Sequence, residues 1–183
     1  MFIFGHLGIG NKIASPWSKR LPKFPLFLGM LLPDIIDKSL YYAHLFPEWV
    51  TCTRTFGHTG LLLVSVLLLS RIVRSRWLGA LALGMATHLL LDCLIDRFDP
   101  TKQSPALIAL TWPFLNAHFA SYHFDNIVDH LHHLWNWPTM SAEALGLAFI
   151  GWDYWKSAYR KEMIEVLFSR RFRKIKRHHS ERG

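Results

Sequence analysis

The chain has 183 residues, 51% of them apolar, with eight Trp and thirteen Phe. That is enough for one domain with a proper core. Its formal net charge of +8 is uneven, with seven Lys or Arg against one Glu between residues 169 and 183. That end suits an anionic partner: a membrane surface first, nucleic acid second. Two cysteines, Cys52 and Cys93, exclude a disulfide-framework protein and leave either two thiols or a single bridge. The first residues lack the basic start and cleavage pattern of a signal peptide, so Met1 to Ile9 are expected to be retained.

Phe4-Gly5-His6-Leu7-Gly8 opens a short apolar segment that leads through Pro16 to Lys19, Arg20 and Lys23. Phe24 to Leu32 is apolar, and Pro33 interrupts it before Asp34 and Asp37. Proline opens helices more readily than it continues them, so both carboxylates are expected in the first turn of a new helix. Tyr41 to Thr55 reads as a loop with a broken amphipathic helix. Thr59 to Val73 and Trp77 to Ile95 form two apolar runs around Arg71, Arg74 and Arg76, the pattern of an antiparallel helical hairpin. The first run is shorter than the roughly 20 residues a bilayer requires, and the second carries His88 and Asp92. Asp96 to Gln103 is a polar break. A histidine-rich region follows, with His118, His123, Asp125, Asp129, His130, His132 and His133, read as a solvent- or interface-facing helix or as a further metal site. A final apolar helix, capped by Ser141, leads to residues 169–183, a basic tail expected to be disordered.

The stretch Gly84 to Asp92 places a histidine and an aspartate one helical turn apart in apolar surroundings. A buried Asp92 requires a cation, a proton or a donor beside it. The plain alternative to a metal is His88 donating to a carbonyl while Asp92 pairs with Arg97. His6, Asp34, Asp37, Arg54 and His58 are further polar islands, and spacing brings them together. With the hairpin centred near Ser75, His58 and Asp92 both lie about 25 Å from the turn at 1.5 Å per residue. His6 and Asp34 are similarly level about Arg20. His6, Asp34, His58, His88 and Asp92 are therefore expected to form a metal site at one end of a bundle, with the basic clusters at the other. Their donors suit zinc, with manganese or iron as alternatives. Asp37 is expected as an uncoordinated general base, with Lys38 and Arg54 holding an anionic group or balancing Asp34 and Asp37.

The ordered set resembles the family of membrane-bound, metal-dependent hydrolases also described as LexA-binding and inner-membrane-associated. The matching elements are His6-Leu7-Gly8, Gly29 to Asp37, Arg54 with Gly57-His58-Thr59, Gly84 with His88 and Asp92, and Trp112-Pro113. Many members have a His-Arg-Gly-x-Thr-His pattern where this chain has Thr53 to His58, one histidine fewer, which counts against a complete two-metal centre. The His88 and Asp92 pair is also similar to the helix-borne ligands of zinc-dependent phospholipases C. The resemblance implies a hydrolase in the cell's inner membrane.

These readings make residues 1–168 a single all-α, membrane-associated helical bundle with short transmembrane or membrane-inserted helices. The expected activity is hydrolysis of a phosphoester or lipid-linked substrate, with membrane lipids as partners. One alternative is a non-catalytic inner-membrane protein with a structural metal and a basic tail that recruits a cytoplasmic partner or nucleic acid. Metal or proton transport is another, and the gathering of the polar groups at one end argues against it.

Overall fold

A computed structural model describes residues 3–98, 104–124 and 126–180, and it is all-helical, with no strand among the described residues. The helices are α1 (Ile3–Ala14), α2 (Lys23–Tyr42), α3 (Gly60–Ile72), α4 (Arg76–Phe98), α5 (Pro105–Thr111), α6 (Ile127–Leu134) and α7 (Trp137–Ser180), with short 3-10 turns at Ser18–Arg20 and Phe56–His58.

The most buried helix is α4, which presents small residues and then polar ones inward: Ala80, Gly84, Met85, His88, Asp92 and Asp96 are all buried. It crosses α2 at close range, because neither helix has a side chain at the crossing. A Cβ on Gly29 would overlap the Leu81 carbonyl oxygen, and one on Gly84 would overlap that of Leu26. Around this crossing Leu26, Met30, Ala14 and Ala80 form a fully buried cluster. Burying a side chain the size of Leu26 contributes about 1.5–3 kcal/mol.

Pro33 does not open a new helix. It lies inside α2, which runs unbroken from Lys23 to Tyr42. Tertiary burial of Pro33 overrides the local preference. The ring removes one helical N–H, and the adjacent Met30 carbonyl takes a donor from another helix, as the site shows below.

The expected hairpin is present as α3 and α4. Thr59 caps α3, its Oγ1 accepting from the Leu62 N–H at 3.1 Å. Only Ser70 of α3 is buried, while Leu61, Val64, Leu67, Leu68, Leu69 and Ile72 face outward. Both serines of α3 bond to their own helix, Ser65 Oγ to the Leu61 carbonyl and Ser70 Oγ to that of Leu67, each at 2.8 Å. Among the described residues α4 is the one helix long and apolar enough to cross a membrane, and 56% of its most apolar stretch packs inside the protein.

The last helix begins at Trp137, four residues before the expected cap. Asn136 Oδ1 accepts from the Thr139 N–H at 3.0 Å, whereas the Ser141 hydroxyl donates to the Pro138 carbonyl. A side-chain acceptor just outside the first turn is what an N-terminus needs, and Asn136 holds that place. From Trp137, α7 continues to Ser180. Its Arg, Lys, Met and Leu residues are good helix formers, and cations at a helix C-terminus offset the dipole. Residues 181–183 lie outside the described chain. Near its start α7 holds α1: the Phe4 and Gly5 N–H groups donate to the Glu143 carboxylate at 2.9 and 3.0 Å. Gly8 and Gly146 meet backbone to backbone, leaving no room for a Cβ on either.

Candidate metal centre

Five residues from four elements converge on one buried point: His6 of α1, Asp34 of α2, His58 of the 3-10 turn, and His88 and Asp92 of α4. The atoms that could ligate an ion lie within 4.8 Å of one another in two overlapping sets, His6/Asp34/His88 and His58/His88/Asp92. This is the set the spacing called for. His58 and Asp92, level on the hairpin by count, come to 3.2 Å between Nε2 and Oδ2.

The hydrogen bonds on the outer side of each imidazole decide what faces inward. His88 Nδ1 lies 2.7 Å from the Met30 carbonyl oxygen. A carbonyl only accepts, so Nδ1 carries the proton and Nε2 presents its lone pair. His58 Nδ1 donates to Asp37 Oδ2 at 2.7 Å, so the neutral ring likewise presents Nε2. The two Nε2 atoms stand 3.1 Å apart. Two lone pairs at that distance repel unless a proton or a cation lies between them. Burial by itself would lower the His58 pKa, but hydrogen bonds to Asp37 and Asp92 outweigh it and push it up to about 9. The electrostatics of the pair therefore favour a positive charge at this point.

The spacing also fits an ion. A tetrahedral centre with ligands at about 2.0–2.1 Å separates its ligand atoms by about 3.3 Å. Beyond the two pairs already given, His88 Nε2 is 3.7 Å from Asp92 Oδ2, and Asp34 Oδ1 is 3.7 and 4.0 Å from the Nε2 atoms of His58 and His88. His6 stacks on His88 with ring centroids 3.8 Å apart, and its Nε2 lies 3.5 Å from Asp92 Oδ1. Neither ring nitrogen of His6 has a hydrogen-bond partner, although the residue is 1% exposed. A buried polar atom without a partner is costly, and a bound cation would take up one of these two nitrogens.

Asp37 is not an uncoordinated base. It is fully buried, and each of its oxygens takes two donors. Oδ1 accepts from Gly57 N–H at 2.7 Å and from Thr55 Oγ1 at 3.0 Å, and Oδ2 accepts from Thr55 N–H at 2.6 Å as well as from His58. The loop after Thr53 folds back on α2 and uses up the carboxylate, leaving it to orient the His58 ring. Gly57 makes this approach possible, since a Cβ there would meet the Pro33 carbonyl at 2.5 Å.

The two basic residues separate in role. Arg54 lies between two carboxylates of α4, with Nε 3.1 Å from Asp92 Oδ2 and Nη1 2.7 Å from both oxygens of Asp96. It thus takes the place expected of Arg97 as the partner of Asp92. Lys38 pairs with Asp34 at 2.7 Å and keeps a third of its side chain exposed. It stands at the open side of the cluster, because Asp34 is the one ligand with appreciable exposure, 19%.

Asp96, Met30, Thr55 and Glu143 are contributors that the sequence reading passed over. Asp96 had a signal: it follows Asp92 by one turn, and one guanidinium can serve both. Its Oδ2 also accepts the Ala106 N–H at 3.0 Å, tying α5 to the site. The later histidines do not form a second cluster among the described residues. His123 and His130 meet the hydroxyls of Tyr41 and Tyr42 at 3.0 and 2.7 Å, respectively. Asp125 and the His133 side chain lie outside the described residues. Cys52 and Cys93 are both free thiols, and Cys52 Sγ donates to the Arg54 carbonyl at 3.1 Å. No protein-family model, no curated protein and no solved structure matches this chain.

Proposed function

We propose that this protein is a membrane-associated, metal-dependent hydrolase of phosphoester or lipid-linked substrates, a member of the inner-membrane hydrolase family it resembles. Its centre is His6, Asp34, His58, His88 and Asp92, and zinc suits their nitrogen and carboxylate donors best, ahead of manganese or iron. The observation that carries this reading is the pair of inward-facing Nε2 atoms 3.1 Å apart beside two carboxylates. A bound divalent cation supplies Lewis acidity and lowers the pKa of water to about 7.

The chain's own residues do the rest. Asp37 and the Met30 carbonyl hold the two imidazoles in one tautomer and one orientation. Arg54 balances the charge of Asp92 and Asp96, so the centre keeps its carboxylates ionised while buried. Lys38, paired with Asp34 at the mouth, is the cation that can hold an anionic substrate group there. The outward leucines of α3 and the length of α4 support a lipid environment. The arginines at their turn support a cytoplasmic position for that end.

A second reading is favoured by burial: His6, His58, His88 and Asp92 are each at most 1% exposed. A closed site of that kind suits a structural metal, with the basic end of α7 left to recruit a cytoplasmic partner or nucleic acid. Elemental analysis of detergent-purified wild type and His88→Ala, followed by assay on a panel of phosphoesters, separates the readings. Stoichiometric metal that is lost in the variant together with turnover supports the hydrolase. Metal without turnover selects the structural role. Metal-free wild type, prepared without chelator, refutes both.

A further inference from the structure

Asp34, Lys38 and Tyr42 follow one another at four-residue spacing on α2, so they form one stripe, each about 6 Å along the helix from the last. The stripe starts at the His/Asp cluster and runs outward from it. Lys38 Nζ reaches back to Asp34 Oδ2 at 2.7 Å. The Tyr42 side chain leans the same way, because helical side chains tilt toward the N-terminus, and its hydroxyl lies 2.7 Å from His130 Nδ1. A histidine of α6 is thereby brought to the stripe that leads into the centre.

The His130 ring is held in place. It stacks on Phe124 with centroids 4.3 Å apart and planes inclined by 14°, and the Phe124 N–H in turn donates to the Tyr41 hydroxyl at 2.8 Å. A phenol is a better donor than acceptor and an imidazole nitrogen a better acceptor than donor. Tyr42 therefore donates, Nδ1 accepts, and the proton of the neutral ring lies on Nε2. The residue is 7% exposed, yet Nε2 has no hydrogen-bond partner among the described residues and is not sealed from solvent. Burial, and then the Lys38 ammonium, hold the His130 pKa down to about 4, against an opposing pull from Asp34. Lys38 is thus the charge that acts most strongly on the ring, and at pH 7 the ring is a neutral donor beside an ammonium.

We propose that Lys38 and the His130 Nε2–H together bind the phosphate group of the substrate at the mouth of the centre, with Tyr42 as the positioning residue that fixes the imidazole tautomer. The inference rests on the hydrolase reading for the nature of the anion, and on the α2 stripe and the Tyr42 to His130 bond for the site. A phosphate there meets an ammonium and an N–H donor on its outer side and the His/Asp cluster on its inner side.

The test is calorimetric titration of the full-length protein, as purified in detergent, with inorganic phosphate, paired with NMR of samples carrying labelled histidine nitrogens. Wild type should bind phosphate, with His130 in the Nε2–H tautomer and its resonance moving as phosphate is added. His130→Phe, which keeps the stacking, and Lys38→Met should each weaken binding about tenfold or more. His130→Gln, which keeps a side-chain N–H donor, should stay within about threefold of wild type. Tyr42→Phe should shift the tautomer toward Nδ1–H and weaken binding about threefold or more. No binding by wild type, unchanged binding in His130→Phe, or an equal loss in His130→Gln overturns the assignment. Where His130→Phe fails to fold, the wild-type resonance decides, and its failure to move with phosphate overturns the site. Ethyl and dodecyl phosphate in the same titration separate the two sources of the group: tighter binding of dodecyl phosphate marks a lipid headgroup, equal binding a soluble phosphoester. Wild type without metal or turnover removes the hydrolase reading, and the phosphate titration still decides the site.

Discussion

Asp37→Asn alters one atom and tests how the centre is held. Whichever oxygen becomes the amide nitrogen, it faces two donors, Thr55 Oγ1 and the Gly57 N–H on one side or the Thr55 N–H and His58 Nδ1–H on the other. A buried backbone N–H then loses its partner, at about 1–3 kcal/mol, and a charge-assisted bond worth about 1.5–3 kcal/mol is lost with it. The sum is about 2.5–6 kcal/mol. A chain of this size loses about 2–4 °C of Tm per kcal/mol, so a fall of about 10 °C is expected. Heat unfolding of chelator-treated wild type and variant in detergent, followed by circular dichroism, measures that part. Zinc titration of the same preparations measures the other part: with the His58 ring no longer locked, affinity should fall 10–100-fold, as second-layer substitutions generally do. A Tm within about 2 °C of wild type and a zinc affinity within about threefold would refute the argument that Asp37 orients His58.

Other substitutions test packing and charge. Gly84→Ala drives a Cβ into the Leu26 carbonyl and the Met30 nitrogen, while Gly79 on the same helix has nothing within 4 Å. Denaturant unfolding should show the first destabilised by about 1–3 kcal/mol and Gly79→Ala stabilised by about 0.5–1 kcal/mol. Arg54→Met leaves Asp92 and Asp96 buried without their cation. It should cost about 3–5 kcal/mol, more than Lys38→Met at the partly buried pair with Asp34, both read by the same unfolding curves. Glu143→Ala removes the acceptor for the first N–H groups of α1 and should cost about 0.5–2 kcal/mol. Hydrogen exchange should locate the loss in α1 ahead of α4.

The helical class and the meeting of the five histidine and aspartate side chains were legible because both follow from periodicity and counting. A short turn between two helices places equal distances on each side level, so His58 and Asp92 had to be neighbours. The role of Asp37 was not legible. It depends on the loop at Thr55 to Gly57 doubling back onto α2, and nothing local to Pro33-Asp34-x-x-Asp37 encodes that fold. Pro33 misled for the same reason: its local preference is to begin a helix, and burial within α2 outweighs it. The partners of Arg54 were not legible, because its reach to Asp96 spans 42 residues of chain. The start of α7 at Trp137 turned on which of two good capping residues, Asn136 or Ser141, the tertiary structure selected.

The grip of α7 on α1 sets an order on biosynthesis. The carboxylate and the glycine that fix the helix of His6, Glu143 and Gly146, are synthesised more than a hundred residues after it. A nascent chain can close the α3–α4 hairpin and bring His58, His88 and Asp92 together while His6 still has nothing to dock against. The complete His/Asp cluster forms only once residue 146 has left the ribosome. A product truncated before that point would carry a partial cluster with its first histidine unanchored.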